Sequence, residues 1–241
     1  MSNSMTNIEI SHVTVTYPNG VTALDDISLS IGSGIYGLLG HNGAGKSTLM
    51  KVMTTLLSPS SGTVRICGFD TAAEADKVRQ MIGYLPQELT MYPTLTVFDF
   101  VNYMALLKGI RDREEVSSVL EQVGMLAYSR RKIGQLSGGM KRRTAIAQAL
   151  IGTPKILIAD EPTAGLDPEE RLRFQALLTG YAREGRTVIF STHIVEDVHR
   201  ICRELAVLRD GRLFFSGSSA ELMRLTDKEA YAYQMGGNIH E

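Results

Sequence analysis

Several features that would assign this chain to other classes of protein are missing from its sequence. No continuous apolar run approaches the roughly 20 residues that a membrane-spanning helix needs. The polar start MSNSMTNIE lacks the basic residues and apolar run of a signal peptide, so we expect a cytoplasmic protein. The 25 lysines and arginines are balanced by 26 aspartates and glutamates, with a net charge of -1. No overall basic field therefore indicates nucleic acid or an anionic membrane as a direct partner.

Cysteine is scarce, and its spacing argues against the common cysteine sites. Cys67 and Cys202 are the two cysteines, and they lie far apart without CxxC spacing. Structural thiols explain this pattern better than a disulfide or a metal site. The sequence also lacks internal repeats and long linkers. Its 241 residues predict one domain over 1–241, with a subdomain inserted in it.

Hydrophobic periodicity predicts an α/β protein. The segment Ile8 to Tyr17 alternates before the turn signal PNG, DISLSI continues the same period, and IYGLLG indicates a short buried strand. Apolar residues from Leu49 to Leu56 then recur at helical spacing, and SPSSG ends that helix. Later, KILIAD and TVIFST have the composition of buried parallel strands, and ELAVLRDGRLFFSG indicates a hairpin.

The middle third of the sequence is helical in pattern. We predict a mostly helical insert over about 88–150, in which Thr96 and Asp99 have the spacing of a capping box. The last residues, about 227–241, are expected to form a short mobile tail.

The stretch GLLGHNGAGKSTLM carries the strongest functional signal. It matches the phosphate-binding pattern GxxxxGK[ST] and lies between a predicted strand and a predicted helix. Small residues allow backbone N–H groups to converge on phosphate oxygens, and the helix N-terminus adds its positive dipole end. We assign nucleotide binding to Gly40, Asn42, Gly43, Ala44, Gly45, Lys46, Ser47 and Thr48.

A second motif supplies the carboxylates that nucleotide hydrolysis needs. In ILIADEP an apolar strand delivers Asp160 and Glu161 to the carboxyl edge of the predicted sheet. There Asp160 can hold magnesium through water, and Glu161 can polarise the attacking water.

The stretch QLSGGMKRR supplies Ser137, Gly138 and Gly139, which resemble the LSGGQ signature of ABC ATPases. The chain is identified as a member of this family because the family's other motifs occur in order. Tyr17 resembles the aromatic residue that stacks on adenine, Gln87 the Q-loop glutamine, Asp167 in AGLD the D-loop, and His193 in STHIVED the switch histidine.

The resemblance implies a P-loop NTPase fold with a RecA-like core, an N-terminal antiparallel β-subdomain and the helical insert. It also implies ATP and Mg²⁺ as cofactors and a head-to-tail dimer of two such chains, with two ATP molecules between them. The implied catalytic residues are Lys46, Glu161 and His193. The implied magnesium ligands are Ser47, Gln87 and Asp160.

The resemblance implies that the segment near Gln87 to Phe98 is where the coupling helix of a separate membrane permease docks. The stretch YLPQELTMYPTLTVFDF is most similar to subunits that power exporters of drugs, antibiotics or peptides. The alternative is a soluble ABC ATPase with an assembly or regulatory role; a GTPase is disfavoured because no NKxD run is present. One departure from the family pattern is Met140, where glutamine is usual. The basic run Lys141 to Arg143 is either a solvated helix face or a group that reinforces the anion site or binds acidic neighbours.

Overall fold

The computed structural model of the protein describes residues 7–88 and 90–224, apart from the side chain of Met223. The strands are β1 Ile8–Thr16, β2 Thr22–Ile31, β3 Gly34–Leu39, β4 Ser61–Ile66, β5 Phe69–Asp70, β6 Ile82–Leu85, β7 Ile156–Ala159, β8 Thr187–Thr192, β9 Glu204–Arg209 and β10 Arg212–Ser218. The helices are α1 Lys46–Met53, α2 Ala75–Met81, α3 Val97–Leu107, α4 Arg113–Gln122, α5 Gly138–Leu150, α6 Pro168–Ala182, α7 Val195–Ile201 and α8 Ser219–Arg224. The predicted tail, 227–241, lies outside the described residues.

The strands form two sheets of different character. The first is antiparallel, with the order β2-β1-β4-β5, and the second has the order β10-β9-β3-β8-β7-β6. In the second sheet the five strands from β9 to β6 are mutually parallel, and β10 is antiparallel to β9. The α/β class, the N-terminal antiparallel sheet and the β9–β10 hairpin are therefore confirmed.

The second sheet is buried because a hydrophobic core covers each of its faces. Ile158 and Ile189 face the core that is shared with the first sheet and α1. Leu157 and Phe190 face the larger core, which contains α3, α4, α5 and α6. This double cover explains why β7 and β8 are buried along their whole length and why their sequences are apolar runs without alternation.

The predicted insert, 88–150, contains three of the helices. α3 begins after Thr96, whose Oγ1 accepts a hydrogen bond from the backbone N–H of Asp99 at 3.1 Å, which confirms the predicted cap. Residues 90–96 precede the first helix, and two short 3-10 turns lie between α4 and α5. The insert boundaries stay a prediction, and Leu89 lies outside the described residues. Within 7–88 and 90–224, no helix combines the length and apolar character needed to cross a membrane.

The prediction that the helix after the glycine loop extends to Leu56 is wrong. α1 ends at Met53, and Thr55 adopts a φ of +62°. The N–H of Leu56 then donates to the carbonyl oxygen of Lys51 at 2.9 Å, which closes the last turn. Leu56 is 63% exposed, so its helical spacing from Met53 is coincidental.

Candidate active site

The candidate site lies where the parallel strands of the second sheet end. β3, β6, β7 and β8 are parallel and close to register, so the residues that follow them share one edge of the sheet. In open α/β sheets, ligands bind outside this carboxyl edge. The glycine loop follows β3, Gln87 follows β6, Asp160 and Glu161 follow β7, and His193 follows β8.

The glycine loop has a backbone that other residues cannot adopt easily. Gly43 and Gly45 have φ values of +86° and +102°. A Cβ atom added at Gly45 would also lie 2.7 Å from the carbonyl oxygen of Ala23. Both glycines are therefore required by conformation, and Gly45 leads directly into the N-terminus of α1.

Lys46 is held inside this loop. Its Nζ donates to the carbonyl oxygens of Gly40 at 2.7 Å and His41 at 3.0 Å, and its side chain is 5% exposed. Burial lowers the pKa of the Lys46 ammonium, while the charges of Glu161 and Asp160 oppose that shift. Since Nζ also lies 3.6 Å from Oε1 of Glu161, the lysine joins the loop to the acidic pair.

The acidic pair is buried and fixed by a residue that sequence reasoning missed. Asp160 is 3% exposed and Glu161 is 9% exposed. Ser191 in β8 donates from Oγ to Oδ1 of Asp160 at 2.5 Å, and the same Oγ accepts from the N–H of Glu161 at 2.8 Å. Ser191 lies two residues before His193, in a strand that was predicted to border the site, and this position could have identified it.

Glu161 is the residue at which the other predicted groups meet. Besides Lys46, the amide nitrogen of Gln87 donates to Oε2 of Glu161 at 3.5 Å. Nδ1 of His193 lies 3.6 Å from Oε1, and the histidine side chain is 48% exposed. Glu161 has a φ of +42°, a conformation that costs about 1–2 kcal/mol for a residue with a side chain. The surrounding contacts must therefore hold it in place.

Lys46, Gln87 and Glu161 border a small cavity. Its volume is about 220 Å³, and it is lined by Ala23, Asn42, Gly43, Gly45, Lys46, Ser47, Thr48, Gln87 and Glu161. Sequence reasoning missed Ala23, which no motif includes. The Tyr17 hydroxyl lies 3.1 Å from Oγ1 of Thr48, so the tyrosine adjoins the cavity wall.

The residues available to a magnesium ion are oxygen donors. The Ser47 hydroxyl and the Gln87 side chain line the same cavity, and Asp160 adjoins it at the end of β7. Mg²⁺ prefers such ligands and usually completes its coordination with water and substrate phosphates. In the described part of the chain, residues 7–88 and 90–224, no three His, Cys, Asp or Glu side chains are grouped so that they could hold a metal.

The signature residues do not line this cavity. Ser137 and Gly138 are exposed, and Ser137 Oγ accepts from the N–H of Met140 at 3.3 Å as the cap of α5. Asp167 is also exposed and caps α6 by accepting from the N–H of Glu170 at 2.9 Å. Thus the structure joins Lys46, Gln87, Glu161 and His193 but leaves Ser137, Gly138, Gly139 and Asp167 apart from them.

The positions after the signature have distinct surroundings. Met140 is 9% exposed and packs in the larger core, whereas Lys141 is exposed. Nε of Arg143 lies 3.6 Å from Oε2 of Glu170, so this arginine binds an acidic neighbour. Arg142 donates to backbone carbonyl oxygens. The solvated-face interpretation therefore applies only to Lys141.

Comparison with known families agrees with this geometry. The family model described as ABC transporter matches residues 24–164, which is more than half of the chain. The chain belongs to the ABC transporter family. The match begins before the glycine loop and continues past Glu161, so it contains the signature and every cavity-lining residue except Ala23.

Curated relatives support the same family. The ABC transporter ATP-binding protein NatA of Bacillus subtilis is 36% identical over 88% of this chain and 89% of its own length. The linearmycin resistance ATP-binding protein LnrL, from the same organism, is 36% identical over 83% of this chain. The chain spans 66% of the length of that second relative.

Solved ABC structures share the fold. CbiO1 from Clostridium perfringens, described as part of the ABC transporter complex cbiONQ, gives a TM-score of 0.81 at 29% identity and covers 94% of both chains. The ATP-binding cassette MJ0796, solved as a dimer in a post-hydrolysis state with ADP and Pi, gives 0.80 at 28% identity, covering 88% of this chain and 98% of that one. The P-loop NTPase fold is therefore confirmed, and the protein is an ABC ATPase.

Proposed function

We propose that this chain is the ATP-binding and ATP-hydrolysing subunit of an ABC exporter and that two copies close around two ATP molecules. The observation that carries this proposal is the separation of the two motif groups. Lys46, Gln87 and Glu161 surround one cavity, while the exposed signature lies outside it. A second copy placed head to tail supplies the missing signature, and the dimeric MJ0796 cassette shows that a relative of this fold dimerises.

In this proposal, different residues of the chain bind ATP, hydrolyse it and sense the loss of its γ-phosphate. The loop N–H groups and Lys46 bind the phosphates, and Tyr17 stacks on adenine. Glu161 polarises a water whose oxygen attacks the γ-phosphorus, the bond to the ADP oxygen breaks, and ADP and inorganic phosphate leave. His193 hydrogen-bonds the γ-phosphate and senses its loss.

Magnesium completes this assignment. Ser47, Gln87 and Asp160 would hold the ion, the aspartate through water, which matches their oxygen chemistry. When bound, the ion neutralises phosphate charge.

A membrane permease is the proposed partner because apolar side chains are exposed on α3 and in the segment that follows Gln87. Tyr103, Leu106 and Leu107 lie on one side of α3 and are 46%, 49% and 65% exposed. Tyr92, 57% exposed, lies in the predicted docking segment Gln87 to Phe98. Exposed apolar clusters of this kind mark interaction surfaces. The protein would then be peripheral on the cytoplasmic face of the membrane.

Export of a drug, antibiotic, peptide or lipid-like molecule is the proposed task. It is supported by the relative named for linearmycin resistance and by the sequence texture of YLPQELTMYPTLTVFDF. The cargo itself is selected by the permease, not by this chain.

The test is affinity purification of tagged Glu161→Gln protein from detergent-solubilised cells with ATP present, followed by mass spectrometry. We expect a stoichiometric polytopic membrane protein. Adding Leu107→Glu on α3 to this protein should abolish recovery of the partner. In the otherwise wild-type chain, Leu107→Glu should leave ATP hydrolysis intact, because Leu107 is exposed and lines no part of the cavity. Recovery of soluble factors alone would refute the exporter role and favour the regulatory alternative.

A further inference from the structure

Arg142 makes an unusual set of contacts for a residue on the signature helix. Its Nε donates to the carbonyl oxygen of Pro162 at 3.0 Å, and Nη2 donates to that of Glu161 at 3.1 Å. Nη1 lies 3.4 Å from the carbonyl oxygen of Gln87. One guanidinium therefore joins three backbone carbonyls that lie 55, 19 and 20 positions away from Arg142 in sequence.

These carbonyls belong to the two segments that border the cavity. Gln87 follows β6 and Glu161 follows β7, and both side chains line the cavity. The planar guanidinium presents its N–H donors in a fixed fork, which suits several acceptors in fixed positions. Arg142 is thus a clamp between the two segments.

The clamp acts on the residue whose backbone most needs support. Glu161 has a φ of +42°, and its carbonyl oxygen is one of the acceptors. Charge-assisted hydrogen bonds are roughly twice as strong as neutral ones, so Arg142 stabilises this conformation. Arg142 thereby fixes the backbone of Glu161, whose carboxylate contacts Lys46, Gln87 and His193.

Burial lowers the pKa of the Arg142 guanidinium, and the nearby Asp160 carboxylate opposes the shift. Arginine remains charged at neutral pH even with such a shift. The clamp is therefore permanent rather than pH-switched.

We propose that Arg142 is a positioning residue that couples the orientation of α5 to the catalytic carboxylate of Glu161. This inference rests on the proposed function, because α5 begins with the signature that would bind ATP of the second copy. When the signature binds that ATP, a change in the orientation of α5 is transmitted to Glu161 through Arg142. Each chain would then align its own hydrolytic carboxylate only while its signature is engaged.

The test compares Arg142→Ala with Arg79→Ala in the purified full chain. Arg79 is a matched control on α2, because it also donates two side-chain hydrogen bonds, to Thr55 and Asp76, and contacts no site residue. We expect Arg142→Ala to lower kcat for ATP hydrolysis about tenfold to a hundredfold, the range that a small misplacement of a catalytic group produces. The Kd for ATP should change less than about threefold, because the glycine loop is untouched, and Arg79→Ala should match the wild type.

A double variant separates positioning from general support of the fold. If Arg142 acts through Glu161, adding Arg142→Ala to Glu161→Gln should cause no further loss of kcat. Losses that multiply would overturn the proposal. So would a Kd that rises in parallel with the fall in kcat, or a kcat within twofold of the wild type.

Destabilisation of the Arg142→Ala variant and failure of the exporter role can each be distinguished from failure of this inference. If Arg142→Ala melts at a much lower temperature, Arg142→Gln replaces it, and its amide, which offers fewer donors, should give an intermediate kcat. Wild-type kcat in that variant would overturn the proposal. Failure to recover a membrane partner refutes the exporter role, whereas the kcat comparison depends only on ATP hydrolysis by the chain.

Discussion

The glycine-loop cavity and the signature are both predicted to bind phosphate, yet they are built in opposite ways. Around the cavity, Lys46 and Glu161 are buried and linked to each other. At the signature, Ser137 and Gly138 are exposed, and a Cβ atom added at Gly138 would meet nothing within 4 Å. The cavity is built from contacts within one chain, whereas the signature is open to solvent. Under the proposed function, this contrast means that a single chain would bind nucleotide but would need a second copy to hydrolyse it.

The largest effect should come from Lys46→Ala, which removes the cation of the cavity. We expect ATP hydrolysis to fall by at least about a thousandfold, because a preorganised donor to the transferring phosphate is lost. Phosphate release at saturating ATP measures this. Turnover within tenfold of the wild type would show that the cavity is not the hydrolytic site.

Glu161→Gln tests the carboxylate without changing its shape. We expect hydrolysis to fall about a hundredfold or more, because general-base assistance is lost. ATP should still bind and should trap the closed dimer, which light scattering detects. A variant that stays monomeric with ATP bound, both alone and with its permease, would contradict the trapping.

Gly138→Asp tests the open site alone. The side chain has free space, and an acidic residue in the first turn of α5 suits the helix dipole, so folding should be preserved. Facing the γ-phosphate of the second copy, the carboxylate should lower hydrolysis about tenfold or more by charge repulsion.

The binding of ATP to the single chain should be unchanged in Gly138→Asp, and Gly138→Ala is the matched neutral control. Equal loss of ATP affinity and turnover would mean that the signature belongs to the cavity of its own chain. Isothermal titration and hydrolysis assays on the same preparations distinguish these results.

The smallest effect is expected at Tyr17, at the edge of the cavity. Tyr17→Ala should weaken ATP binding by about 1 kcal/mol, or about fivefold in Kd, because ring stacking on adenine is lost. Tyr17→Phe keeps the ring and loses only the contact with Thr48, so its Kd should stay near that of the wild type. Unchanged affinity in Tyr17→Ala would reject the stacking role.

Local patterns predicted much of this molecule because they depend on neighbours in sequence. The glycine loop between a strand and a helix, the cap at Thr96 and the hairpin of β9 and β10 all follow from short spacings. The end of α1 was missed because the apolar spacing of Leu56 continues past the point where Thr55 turns the chain. Apolar spacing states which face a helix would bury, but not where the helix ends.

The sequence alone determined the chemistry of this protein: a phosphate loop, an acidic pair and a signature, each encoded within a few consecutive residues. Only the tertiary structure decided how these parts meet. The contacts of Ser191 with Asp160 and of Arg142 with Gln87 join residues 31 and 55 positions apart. Such pairs form because parallel strands end at one edge of a sheet and a helix packs across it, and no local pattern encodes that approach.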